Sequence, residues 1–168
     1  LFAGSVADEL TEESFETPYG KAKFELRAAV SRFIDEGLST WLRPQYVYSL
    51  SHRRPALLRQ LYEIDNPEEF IPSRPEDLRD WIDVRDVASG IVAILSNRIL
   101  GVVNVGSGKA HTVRQFLDAV RMGEPKAPSS PDMQYWETAS QGADIRPLEA
   151  LGWLPIHTQA LFATLGRS

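Results

Sequence analysis

Short strand-like apolar runs alternate with stretches of helical periodicity along most of this 168-residue chain. That alternation constrains the fold more than any other feature. Strand–helix–strand units of this length close into a parallel sheet with helices on its faces. Leu1-Phe2-Ala3-Gly4-Ser5 reads as the end of a buried strand, so an N-terminal portion is expected to precede it. Residues 6–17 are acidic and loop-like. Leu26, Ala29, Val30 and Phe33 supply an apolar face for a helix over about 18–36. Thr17 would cap it, Pro18 would open it and Gly37 would stop it. Ser39 to Arg43 reads as a buried strand running on into Pro44–Tyr48. Pro55 to Glu63 reads as a short helix with Leu57, Leu58 and Leu61 on one side. Residues 64–77 carry Pro67, Pro72 and Pro75 and read as a loop or substrate lid.

The second half continues the alternation. Leu78 to Val84 reads as extended, followed by a helix over about 85–97 that buries Val87, Ile91, Ile94 and Leu95. Asp86, near its start, is expected to act as a helix cap. Gly101 to Gly106 reads as a strand ending in a glycine turn. Thr112 would then cap a helix carrying Val113, Phe116, Leu117 and Val120. Residues 122–142 read as a long loop, 144–151 as a short helix, and a last amphipathic helix follows Pro155. The layout implied is α/β with a parallel sheet.

Within the first helix, Tyr19 and Lys23 are four residues apart and lie one above the other on the same face. An ammonium beside a phenol favours the phenolate, which suits a tyrosine to acid/base work near neutral pH. The pair alone is common in chains of this length. Composition removes several other classes. A net charge of −5 argues against nucleic acid as the main partner, and no Lys/Arg cluster contradicts that. No cysteine is present, which excludes disulfides and thiolate chemistry and is compatible with a cytoplasmic location. No apolar run approaches the length needed to span a membrane. His52, His111 and His157 are scattered, do not form a metal set and read as surface residues, with His52 a weak candidate for substrate contact.

Six segments, in order, resemble motifs of one family. Phe2-Ala3-Gly4-Ser5 is similar to a strand ending in a catalytic Ser or Thr, and Pro18-Tyr19-Gly20-Lys21-Ala22-Lys23 to a P-Y-G-x-S-K element. Leu42 to Tyr48 resembles L-R-P-x-x-V-Y-G. Leu78 to Val87 resembles V-R-D-F-I-x-V-D-D-V, Val103 to Gly108 resembles Y-N-I-G-S-G, and Leu151 to Pro155 resembles L-G-W-x-P. The chain thus resembles the C-terminal part of the extended short-chain dehydrogenase/reductases, the NAD-dependent epimerase/dehydratase (nucleotide-sugar) branch. The resemblance implies a Rossmann-type doubly wound parallel sheet, its N-terminal half apparently missing, with a small C-terminal substrate-binding lobe. Residues 1–110 would belong to the dinucleotide-binding domain, with 50–80 contributing to the lobe, and 111–168 mainly to the lobe.

The same resemblance implies roles. Tyr19 would be the general acid/base, Lys23 would hold the nicotinamide ribose, and Ser5 would hydrogen-bond the reacting oxygen. Pro44, Gln45 and Val47 would line the nicotinamide pocket, unless Val47 is simply core. Tyr46 would contact substrate. Arg79 would clasp the nucleotide diphosphate with its planar fork, the alternative being an ion pair with Asp77 or Asp80. Asn104 and Ser107 would shape a turn. The cofactor would be NAD or NADP, the substrate a nucleoside-diphosphate sugar, and the assembly a homodimer through the Tyr19 helix, with Phe24 and Ala28 added to its apolar residues.

Departures from the family pattern narrow the reaction. No G-x-x-G-x-x-G stretch is present, and with it goes the usual pyrophosphate cradle. Ser5 and Tyr19 are unusually close in sequence, and Ser49 stands where a glycine is expected. Val6-Ala7 occupies the place of the Asp-Glu pair that resembles the dehydratases, which disfavours dehydration and leaves reduction or epimerisation. Two rivals differ in class: a catalytically silent dinucleotide-sensing module, and a reductase of a non-sugar carbonyl such as a steroid.

Overall fold

A computed structural model describes residues 1–5, 17–53, 56–63, 70–123 and 140–165. Strand β1, Phe2–Ala3, is followed by helix α1, Pro18–Asp35. The Thr17 hydroxyl accepts the Gly20 N–H at 3.0 Å, and Pro18 needs no partner for its nitrogen in the first turn. Gly37 follows the helix with φ of +65°, a left-handed geometry that costs glycine little. Strand β2, Thr40–Pro44, lies between β1 and the later strand β6, Gly101–Val105, and pairs parallel with both.

Alternation along β2 divides the core. Trp41, fully buried, packs with Val30 and Ile34 of α1 and with Phe2. Its neighbour Leu42 points to the other face. There it joins Val103 and Val105 and the residues Val87 and Ile94 of helix α3, Val84–Ser96. Two parallel steps in one direction, with their helices on opposite faces, are of opposite hand. One of them therefore departs from the right-handed rule that governs such crossovers. The β2-to-β6 connection is no simple helix, since it carries a second sheet on its way.

That second sheet is a parallel pair, β3 (Tyr46–Tyr48) and β5 (Trp81–Asp83). Helix α2, Ala56–Glu63, comes between them and buries Leu58 and Leu61. A third sheet is antiparallel, with β4 (Leu78–Arg79), β7 (Lys109–Thr112) and β8 (Ser140–Gln141) in the order β4-β7-β8. Helix α4, Val113–Met122, opens with a full capping box between Thr112 and Gln115. Its Phe116 stacks on Trp81 with ring centroids 4.0 Å apart. Helices α5, Arg146–Glu149, and α6, Ile156–Phe162, complete the chain. Phe162 and Leu161 join α2, α4 and Trp81 in one cluster, and Trp153 closes the cluster under α3.

Several expectations change. The single strand expected over Ser39–Tyr48 is two strands in two sheets, because the chain leaves β2 at Pro44, which cannot extend a ladder on both sides. Strands β7 and β8 are short additions in segments expected to be turn and loop; residues 124–139 of that loop, and 6–16 of the first, lie outside the described residues. Leu26, Ala29 and Phe33 do not share the buried face of Val30 and Ile34 but point outward with Ala22. Leu95 is exposed rather than buried, because α3 turns Val87, Gly90 and Ile94 to the sheet. Among the described residues, no helix is long and apolar enough to cross a membrane.

His111, expected at the surface, is fully buried and stacks on Phe162 with ring centroids 3.7 Å apart and planes 12° from parallel. Burial, with Lys109 nearby, lowers its pKa to about 4, so it folds as the neutral ring. Since the unfolded ring titrates near 6.5, this contribution to stability is complete above pH 6.5 and is lost as pH falls towards 4. Urea midpoints measured from pH 7 to 4 are expected to fall less in His111→Phe than in the parent. The difference on the acid side should be on the order of 3 kcal/mol at most.

Candidate active site

Helix α1 carries the proposed dyad. Tyr19 is half exposed in the first turn, and the Lys23 ammonium lies 5.7 Å from the centre of its ring. Lys23 Nζ also donates to the Ala3 carbonyl at 3.0 Å. The lysine therefore joins the helix to the C-terminal end of β1, two residues before Ser5. Gly4 N–H continues the sheet by donating to the Leu42 carbonyl at 2.6 Å, which places Ser5 at the strand end. Tyr19, Lys23 and the Ser5 segment thus share one end of the sheet.

The neighbouring strand β2 ends at Pro44 on that same side. Gln45 N–H donates to the Val105 carbonyl at 3.0 Å, and Tyr46 N–H to the Asp80 carbonyl at 2.9 Å. Val47 is half-buried against the α3 cluster. Arg79 lies with its guanidinium carbon 4.8 Å from the centre of the Tyr46 ring and 5.9 Å from that of Trp81. Such contacts favour a cation over an aromatic face. Asp77 is a loose ion partner at 3.6 Å. Of the two partners weighed for Arg79, Asp77 is the one observed.

Asp80, weighed in the sequence only as that partner, is the most heavily bonded side chain here. Its Oδ1 accepts the Ser107 N–H and hydroxyl, both at 2.7 Å. Its Oδ2 accepts the Gly108 N–H at 3.0 Å and the Ala143 N–H at 2.9 Å. Burial pushes the carboxyl pKa up, and these hydrogen bonds oppose the rise. An acid set among apolar residues of the extended stretch Leu78–Val84, where Asp80 and Asp83 both stand, was the available signal. Ser107 also bonds the backbone of Lys109, so it shapes the turn as expected.

Asp86 caps a helix, though not its own. Asp83 is the N-cap of α3, accepting the Arg85 N–H at 2.8 Å and pairing with the Arg85 guanidinium. Asp86, fully buried, instead accepts the His157 and Thr158 N–H groups at the start of α6, and the Thr158 hydroxyl. Burial raises its pKa and those bonds oppose it. His52 sits beside Ser49 and Ser51, its Nδ1 3.0 Å from each hydroxyl, next to a cleft of about 170 Å³ lined by Ser49, Leu50, Ser51, Asp83, Val84 and Arg85. Among the described residues, no group of three or more His, Asp or Glu is placed to hold a metal ion.

A parallel sheet with helices on both faces, and polar side chains gathered at the C-terminal ends of its strands, defines a Rossmann-type α/β protein. The model described as the NAD dependent epimerase/dehydratase family matches residues 3–106, and the chain belongs to that family. Among solved structures it is similar to a UDP-N-acetylglucosamine 4-epimerase from Methanobrevibacter ruminantium M1 in complex with UDP-N-acetylmuramic acid. That match has 19% identity and a TM-score of 0.62 over 99% of this chain and 63% of the other. A UDP-glucose 4-epimerase from Thermus thermophilus, in complex with NAD, matches at 21% identity and a TM-score of 0.58, over 99% and 63%. RMD from Pseudomonas aeruginosa complexed with NADPH matches at 20% and 0.60, over 98% and 64%. The chain therefore spans about three fifths of the length of these structures.

Gly106 marks how tightly the strand ends meet. A Cβ there would lie 2.6 Å from Gln45 Cγ and 2.7 Å from Asp80 Oδ2, and the carboxylate is too firmly bonded to give way. Gly106→Ala is expected to lower stability by about 2 kcal/mol in urea unfolding, whereas Gly37→Ala should cost less, its Cβ meeting nothing and only the backbone being strained.

Proposed function

We propose that this chain is the C-terminal part of an NAD(P)-dependent oxidoreductase or epimerase acting on a nucleoside-diphosphate sugar. The observation that carries the reading is the placement of Lys23: its ammonium lies beside the Tyr19 ring and is bonded to the backbone two residues before Ser5. Family membership and the nucleotide-bound relatives support the same class. NAD or NADP would supply hydride transfer. Tyr19 would move the proton on the sugar oxygen, Ser5 would donate a hydrogen bond where negative charge develops, and Lys23 would bind the nicotinamide ribose and favour the phenolate. Pro44, Gln45 and the uncovered part of Val47 would line the nicotinamide pocket. Arg79, backed by Tyr46, would hold the diphosphate, for which its donor fork is suited.

Residues 1–110 would complete the dinucleotide-binding domain and 111–168 most of the substrate lobe. Val6-Ala7, in place of the Asp-Glu pair, supports reduction or epimerisation over dehydration. In the full-length protein, Tyr19→Phe should lower turnover of nucleotide sugars about 100-fold or more while Arg79→Ala raises KM with a smaller change in kcat. A parent with no turnover of any nucleotide sugar would favour the dinucleotide-sensing module, and unchanged turnover in Tyr19→Phe would remove Tyr19 as the acid/base. An unchanged KM in Arg79→Ala would favour a non-sugar carbonyl substrate.

A homodimer through α1 fits its outward face. Ala22, Leu26, Ala29 and Phe33 recur at the four- and three-residue spacing of a helix-packing seam, and Leu26 and Phe33 are about half exposed. Leu26→Asp combined with Phe33→Asp should convert a dimer to a monomer in light scattering without loss of helical circular dichroism. A parent that is already monomeric excludes this assembly.

A further inference from the structure

The proposed site has two sides. Pro44 and Gln45 would serve the nicotinamide, while Tyr46 and Arg79 would serve the sugar nucleotide. Asp80 stands between them. Its backbone carbonyl holds Tyr46, and its side chain holds the turn that follows β6, which itself supports Gln45 through Val105. The glycines at 106 and 142 exist in contact with this carboxylate, since a Cβ at either would come within 2.7 Å of Oδ2.

We propose that Asp80 is a positioning residue for the reaction, keeping Arg79, and with it the sugar nucleotide, in register with the strand end that carries the nicotinamide pocket. The inference rests on the nucleotide-sugar reading above. Asp80 is not placed to act on substrate itself. A carboxylate has about four acceptor sites, and all four are taken by Ser107, Gly108 and Ala143. It is also nearly buried. What it can do is fix geometry. Arg79 precedes it directly on the chain, so any shift of Asp80 relative to the Gly106–Gly108 turn moves Arg79 relative to Gln45. Hydride transfer tolerates little of this, since a misplacement of about 1 Å can cost about 100-fold in rate.

The test compares Asp80→Asn, Ser107→Ala and Arg79→Ala in the full-length protein. Turnover is measured alongside separate calorimetric titrations with the dinucleotide and with a nucleotide sugar. Asparagine turns one acceptor oxygen into a donor facing two donors. Turnover of Asp80→Asn should fall about 100-fold while each ligand alone binds within about threefold of the parent. Ser107→Ala keeps the three backbone donors and should lose about tenfold in turnover, again with binding kept. It decides the matter alone if Asp80→Asn does not fold. Turnover within about threefold of the parent in the folded variants overturns the inference. So does a loss of turnover matched by an equal loss of binding of both ligands, which is the mark of a merely structural role. An Arg79→Ala protein that binds the nucleotide sugar as the parent does, or a parent that turns over no nucleotide sugar, overturns the underlying reading and the inference with it. Weakened binding in Arg79→Ala with fully active Asp80 variants overturns the inference alone.

Discussion

Three sheets meet at one buried carboxylate. The chain leaves the antiparallel sheet at Arg79 and enters the parallel pair at Trp81, and Asp80 is the residue between. Its side chain reaches the turn beyond β6 of the main sheet and the backbone just after β8. Removing an unpaired carboxylate from water costs several kcal/mol, and only a full set of donors offsets that. The set here is full, with bonds between 2.7 and 3.0 Å. The sheets are therefore joined by charge-assisted hydrogen bonds at a point where apolar packing alone would leave their relative placement loosely defined.

Around that joint, apolar packing supplies most of the adhesion. Trp81, immediately after Asp80, stacks on Phe116 and donates its indole N–H to the His111 carbonyl at 3.3 Å. His111 in turn stacks on Phe162. One run of aromatic rings thus links β5, α4, β7 and α6. Another buried acid, Asp86, fastens α6 to the start of α3. Two acids on the same short stretch of chain hold the C-terminal elements to the sheets from both ends of β5.

The periodic parts of the fold were legible in the sequence. Val87 and Ile94, and Phe116 and Val120, recur at helical spacing because each helix lays one stripe on a sheet. Capping by Thr17 and Thr112 was legible for the same local reason. The family motifs brought Ser5, Tyr19 and Lys23 to attention, and Lys23 does meet the end of the Ser5 strand. What could not be read was every contact without a period. His111 looked like a surface histidine, because nothing local says that Phe162, some fifty residues on, will cover it. Asp86 looked like a cap for its own helix, because its true partners at 157 and 158 are distant in sequence. The split between β2 and β3 hid behind an apolar run that continues through Pro44. Outward and inward apolar residues of α1 looked alike, since a seam for a partner and a seam for the sheet have the same composition.

The amides that Asp80 and Asp86 hold belong to Ser107, Gly108, Ala143, His157 and Thr158. None of them is bonded in a ladder, and the first three lie outside any helix or strand. Hydrogen exchange is slowed by burial and bonding, not by regular structure. Slowly exchanging protons in this molecule should thus mark irregular segments as well as strands. Seen this way, the boundary between scaffold and loop is drawn by two side chains rather than by the backbone.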